Sequence, residues 1–161
     1  MSFKDQKIIS SLLEYAKTSK LNQKHAAAVY CGNNILTKHI NSSRNKFGKE
    51  IRCCSHSEIA CLYNLFPYLF KNGKNGKSNT KYKPNKMTIY IVRYLFSGKG
   101  NYGSSQPCKN CTNKIKKSGI KKLVYINTEG EIIKTKTKDY YSNFITSGYR
   151  VYNNNNLLLN S

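Results

Sequence analysis

Tryptophan is absent from this sequence and acids are scarce: seven Asp and Glu stand against 28 Lys and Arg. The formal charge of +21 draws polyanions to the surface and speeds encounters with them. Two origins fit that imbalance. One is a nucleic-acid or nucleotide partner. The other is codon drift, because Lys, Asn, Ile and Tyr are over-used as an AT-rich genome writes them. Drift explains Lys over Arg better than it explains the shortage of Asp and Glu. Long apolar runs are missing too. No stretch nears the roughly 18 residues that cross a bilayer as a helix, and Met1 to Lys7 lack the apolar core of a signal peptide. The expectation is an intracellular, cytoplasmic protein with no membrane partner. Its six cysteines, Cys31, Cys53, Cys54, Cys61, Cys108 and Cys111, are then not a disulfide framework, and their thiols are free to bind metal.

At 161 residues the chain fits one compact domain. Residues 5–17 carry apolar positions at helical spacing (Ile8, Ile9, Leu12, Leu13, Ala16), with Ser2 or Asp5 as the cap. Residues 25–31 and 35–40 read as strands joined by a Gly/Asn turn. Residues 41–52 are polar and read as a loop. A second helix starts near Ser55, with Ile59, Leu62, Tyr63, Phe66 and Leu69 on one face, until Pro67 ends it. Residues 71–86 form a basic Gly/Lys/Asn insertion, and residues 97–106 a Gly/Ser loop. Between them, Met87 to Phe96 is nearly all apolar and reads as a central strand covered on both faces. Residues 108–118 make a third helix with Gly119 just past its end. Residues 122–127 and 131–137 form a hairpin around Thr128–Gly130. Residues 139–146 read as a short helix, 149–152 as a strand, and 153–161 as a low-complexity tail. The domain spans 1–152. The order α-β-β-α-β-α-β-β implies an α/β fold with helices on both faces of one sheet.

Two short motifs carry the chemistry. Cys108 and Cys111 put two sulfurs on one face of a helical first turn. A helix N-terminus lowers a thiol pKa and favours the thiolate. Alone, such a pair fits a redox couple, half of a structural zinc site, or chance. A thioredoxin-like reading needs the pair after the first strand of a βαβ unit, and here it follows a late one. His56-Ser57-Glu58 is weak alone, but it too sits at a helix start after strands. Side chains in a first turn lean toward the helix N-terminus. His56 and the longer Glu58 can therefore reach one spot beyond the helix end. His56, Cys108 and Cys111 would hold zinc with a fourth position open.

His56-x-Glu58 followed by Pro107-Cys108-x-x-Cys111 matches the H-x-E…P-C-x-x-C signature of zinc base deaminases. With the leading helix, the hairpin before the His helix and the strand before the Cys helix, the chain to about Tyr152 resembles the cytidine and deoxycytidylate deaminase superfamily. The resemblance implies a three-layer α-β-α deaminase-like sandwich with a single mixed sheet of about five strands. It implies a Zn2+ cofactor on His56, Cys108 and Cys111, and Glu58 as the proton carrier while water displaces ammonia from a cytosine or adenine ring. It places Asn41 at the sugar and the backbone around Ser57 and Ser105 at the base edge. Three departures stand out. Ser57 replaces the usual Ala or Val, the gap from Glu58 to Pro107 is long, and Cys53-Cys54 precede the motif, Cys54 being an alternative ligand to His56.

Bland readings accompany these roles: Glu58 as an acid at a helix start, Asn41 as a turn residue, His25 and His39 as structural or exposed, Cys31 and Cys61 as core. Three functions follow. The first is a deaminase of a free cytosine nucleoside or nucleotide. The second is a deaminase of a base in single-stranded DNA or RNA, held by the basic surface and by Lys81-Tyr82-Lys83. The third is a binding protein with a structural zinc, for which Glu58 has no use. A homo-oligomer is compatible with each.

Overall fold

A computed structural model describes residues 2–52, 54–70, 77–97 and 100–150. Helix α1 (Phe3–Ala16) starts where the Ser2 side chain accepts the Asp5 N–H, satisfying one of the unpaired amides of a first turn. Ile8, Ile9, Leu12 and Ala16 share its buried face. A turn at Gly32, with φ of 60°, joins β1 (Lys24–Cys31) to β2 (Asn34–Ile40) as an antiparallel hairpin. Part of the expected loop at 41–52 is ordered as β3 (Lys46–Phe47) and β4 (Glu50–Ile51), paired antiparallel. Phe47 holds that hairpin down. It is fully buried, with ring centroids 5.3 Å from Tyr63 and 5.9 Å from Phe70.

Strand β5 (Met87–Tyr94) is central. β1 runs antiparallel to its whole length, while β7 (Lys122–Ile126) runs parallel to Thr88–Tyr90. The short β6 (Tyr102–Gly103), inside the segment expected as a Gly/Ser loop, pairs with Arg93 and Tyr94. β8 (Ile132–Lys136) closes the edge antiparallel to β7. The result is one mixed six-stranded sheet in the order β2-β1-β5-β7-β8, with β6 beside β5. It is the mixed sheet expected from the sequence, with β6 as the added strand.

Alternation assigns the faces. Met87, Ile89 and Ile91 of β5, Ala27 and Val29 of β1, and Leu123 of β7 pack under α2 (Ser57–Leu65) and α3 (Lys109–Ser118). Tyr90, Val92, Ala26, Ala28, Val124 and Ile126 pack against α1. By the same period of two, His25 and Arg93, opposite each other in the β1–β5 register, belong to the α2/α3 face. The run Ala26-Ala27-Ala28 is wholly buried; its small side chains let helices approach both faces. Pro67 follows the end of α2 and opens a 3-10 turn. Gly119 ends α3 in the left-handed region, with φ of 78°, where a Cβ is strained. No helix among the described residues is long and apolar enough to cross a membrane.

The C-terminal segment departs from the expected helix at 139–146. A 3-10 turn covers Thr137–Asp139, residues 140–146 are without regular structure, and a helical turn begins at Ser147. Positions 149 and 150 are helical rather than the start of a strand. Tertiary contacts explain this. The Tyr140 ring packs 5.2 Å from Tyr125 and its hydroxyl donates to Pro107 O. Phe144 O accepts the Lys109 N–H at 2.8 Å, so this segment caps α3 instead of coiling on itself. Residues 71–76 of the basic insertion, and 151–161 with the expected tail, lie outside the described residues. Within 77–86, Tyr82 packs on the core and its hydroxyl accepts from Asn34 at the β1–β2 turn. It is therefore committed to packing, away from the Asn41 end of β2.

Asp5 ties α1 to the sheet. Only 2% exposed, it accepts from Tyr90 at 2.6 Å, from Lys134 at 2.9 Å and from Ser2 at 2.8 Å. Burial works against its charge, but the Tyr90, Lys134 and Ser2 hydrogen bonds outweigh burial and lower its pKa to about 2. A depressed carboxylate stabilises above its ordinary pKa near 3.8 and loses that contribution as pH falls through the depressed value. Asp5→Ala is expected to cost about 2–3 kcal/mol at pH 7 by urea unfolding. The gap to the native protein should close between about pH 4 and pH 2. An equal cost at both ends of that window would contradict the linkage.

Candidate active site

Two helices deliver the motif residues from their first turns. His56 is the N-cap of α2 and Cys108 the N-cap of α3, both in extended backbone, and neither side chain caps its own helix. They turn toward each other instead. His56 Nδ1 lies 3.2 Å from Cys111 Sγ and 3.7 Å from Cys108 Sγ, and one ligand atom from each of the three residues falls within 4.8 Å of the others. Tetrahedral zinc, with bonds of about 2.0 Å to nitrogen and 2.3 Å to sulfur, sets such atoms roughly 3.6 Å apart. Among the described residues, the cluster has the dimensions of a three-ligand metal site.

The donor chemistry agrees. A hydrogen bond from Cys111 overcomes burial and, with His56 beside it, draws the Cys108 pKa down to about 4. The same Cys111–Cys108 bond, with burial, pushes the Cys111 thiol up. Burial opposes the His56 imidazolium, but hydrogen bonds with Cys108 and Cys54 and the charge of Glu58 raise its pKa to about 11. With protons alone, this corner is a thiolate beside an imidazolium. One divalent cation in place of those protons would satisfy the sulfurs and the ring nitrogen together. Cys54 is not one of the trio. It hydrogen-bonds His56, the kind of contact that orients a ligand imidazole.

Glu58, on the first turn of α2, is 5% exposed, and burial raises its pKa. The Ser57 hydroxyl donates to Glu58 Oε2 at 3.1 Å. That bond and one from the residue's own backbone N–H act against burial and favour the charged carboxylate. The serine at this unusual position thus acts through its side chain.

A cleft of about 580 Å³ opens over the cluster, and Asn41, Ser57 and Ser105 all line it. Asn41 Oδ1 accepts from Ser19 Oγ and from the His25 N–H, and its Nδ2 donates to Gln23 O. One Nδ2 hydrogen remains. Ser105 bridges β5 to β7: its hydroxyl donates to Ile91 O and accepts from the Ile126 N–H, and its own N–H donates to Ile126 O. Only its carbonyl is left for a ligand. Cys61 is core, its thiol donating to Ala27 O, and Cys31 packs at the core's edge.

His25, expected to be structural or exposed, lines the cleft. Burial, then the charges of Arg93 and His56, lower its pKa to about 4, so the ring is neutral at pH 7. Arg93, Gln106, Phe144 and Thr146 line the cleft as well, and none was singled out from the sequence. For Arg93 the alternation along β5 was the available signal. For Phe144 and Thr146 there was none. A second cleft, of about 540 Å³, lies at the opposite end of the sheet and is lined by Lys86, Lys116, Lys121, Lys136 and Lys138. The positive charge is therefore not gathered at the catalytic end alone.

The mixed sheet between α1 and the α2/α3 pair, with a His/Cys/Cys corner at the helix starts, is a cytidine deaminase-like fold. Among solved structures, the cytidine deaminase of Burkholderia pseudomallei superposes with a TM-score of 0.54 at 18% identity, over 86% of this chain and 95% of that one. At that identity the likeness is one of fold. No protein-family model matches the sequence, and no curated protein sequence matches it either.

Proposed function

We propose that this protein is a zinc-dependent hydrolytic deaminase that converts the amino group of a cytosine nucleoside or nucleotide to a carbonyl and releases ammonia. The observation that carries the reading is the buried Glu58 beside a three-ligand corner, both opening on one cleft. A purely structural zinc site closes on four protein ligands and needs no acid beside it.

His56, Cys108 and Cys111 would hold the metal. Zinc bound there supplies the Lewis acidity that makes water a nucleophile at neutral pH. Glu58 would accept a proton from that water and return protons to the ring nitrogen and the departing amine. Ser57 keeps Oε2 occupied and the carboxylate oriented. The C4–O bond forms by addition across the C4–N3 double bond, the bond from C4 to the exocyclic amine then breaks, one water enters and one ammonia leaves, and no oxidant is needed. Residues of the C-terminal segment wall the cleft and help keep bulk water from the reacting ring.

A substrate panel tests the reading: cytidine, deoxycytidine, their 5′-monophosphates, the adenine counterparts and a single-stranded oligonucleotide, with ammonia and the deaminated base as readouts. Release from a cytosine compound is expected. Silence across the panel by zinc-loaded protein would sink the proposal, and release from an adenine substrate alone would overturn its base assignment.

A further inference from the structure

We propose that Arg93 binds a phosphate group of the substrate, which makes the substrate a nucleotide, free or within a strand, in preference to a nucleoside. The inference rests on the deaminase reading and narrows it. Arg93 is the penultimate residue of β5, on the α2/α3 face and opposite His25, and both line the cleft. Its Nε is buried and has no hydrogen-bond partner. None of the seven acidic residues in the chain forms an ion pair with it among the described residues. Arg52, whose Nε is likewise buried without a partner, differs in having its charge met by Glu50, and the exposed Arg44 donates to Lys46 O and stacks on Phe47.

An uncompensated guanidinium in a half-buried position is unfavourable unless an anion completes it. His25, its cross-strand neighbour, is neutral at pH 7 and offers no negative charge. Thr146 adds a second donor to the same cleft, its Oγ1 also buried and without a partner. A planar fork of N–H donors and a hydroxyl lining one cleft are groups that can receive phosphate oxygens. The phosphate comes from one of two sources, the 5′-phosphate of a free nucleotide or the phosphodiester of a strand. The chemistry of the contact is the same for both.

The experiment compares kcat/KM for deoxycytidine, its 5′-monophosphate and a single-cytosine oligodeoxynucleotide, in the native protein, Arg93→Gln and Arg93→Lys. The native protein should favour a phosphorylated substrate, and Arg93→Gln should cut that preference by about 10- to 100-fold. Arg93→Lys, which keeps the charge and loses the fork, should restore part of it. A preference for the monophosphate assigns the site to free nucleotides, and one for the oligonucleotide assigns it to a strand. Equal use of nucleoside and nucleotide by the native protein, or an equal loss on both in Arg93→Gln, overturns the inference. If nothing is deaminated, the deaminase reading fails, and calorimetric binding of deoxyuridine and its 5′-monophosphate to the same three proteins decides this one alone. Tighter binding of the monophosphate that is lost in Arg93→Gln sustains the phosphate site, and no such difference ends it.

Discussion

Glu58→Gln is expected to lower kcat by about 10²- to 10⁴-fold, the usual weight of a positioned general acid–base, with bound zinc retained. The argument is steric as well as chemical. Glutamine matches glutamate in volume, and its carbonyl oxygen can accept the Ser57 hydroxyl bond seen at 3.1 Å. A neutral amide is also easier to bury than a carboxylate at a position 5% exposed. Folding and metal content should therefore survive, and only the proton carrier is lost. Metal analysis beside steady-state ammonia release reads both quantities. Turnover within tenfold of native would remove Glu58 from the mechanism, and loss of metal with turnover would make it part of the metal site.

Cys108→Ala and Cys111→Ala are each expected to lose stoichiometric zinc and all measurable deamination. Each removes one of the three side chains that would hold the ion among the described residues, and two protein ligands hold a tetrahedral ion poorly against solvent. The loss should also appear in stability, because a metal bound to the folded state stabilises it by mass action. A free concentration a thousand times Kd contributes about 4 kcal/mol, or roughly 10 °C in Tm for a chain of this size. Chelation should lower the native Tm by about that amount and leave the Tm of both variants where it was. Cys54→Ala is the contrasting case: Cys54 contacts His56 but stands outside the trio, so this variant should keep its metal with affinity weakened roughly tenfold. Full zinc occupancy in both Cys108→Ala and Cys111→Ala would refute the assignment.

The ligand trio and Glu58 were legible because local rules place them. A residue that starts a helix has its side chain at the helix end, and two such ends, His56 and Cys108, meet on one side of a sheet that the apolar periodicity already implied. The β1–β2 and β7–β8 hairpins were legible from Gly32 and the Thr128–Gly130 turn, and the end of α3 from Gly119, whereas the β3–β4 hairpin was expected as loop. Arg93 was different. Its alternation along β5 was visible, but which face was catalytic depended on pairing β1 with β5, residues about seventy positions apart. Ser57 was read as a backbone contributor, and its hydroxyl bond to Glu58 follows from a rotamer that spacing does not encode.

The C-terminal segment marks the boundary most clearly. Its local pattern suggested a helix at 139–146, yet Tyr140 and Phe144 find better partners in Tyr125, Pro107 and the free amide of Lys109, and the chain stays irregular to make those contacts. By itself the sequence determined the His/Cys/Cys corner, the acid beside it and the layered fold, because hydrophobic period, caps and turn residues act within a few residues of themselves. Only the tertiary structure decided what walls the cleft and which charged side chain lines it, because those contacts join distant segments whose apposition depends on the packed sheet.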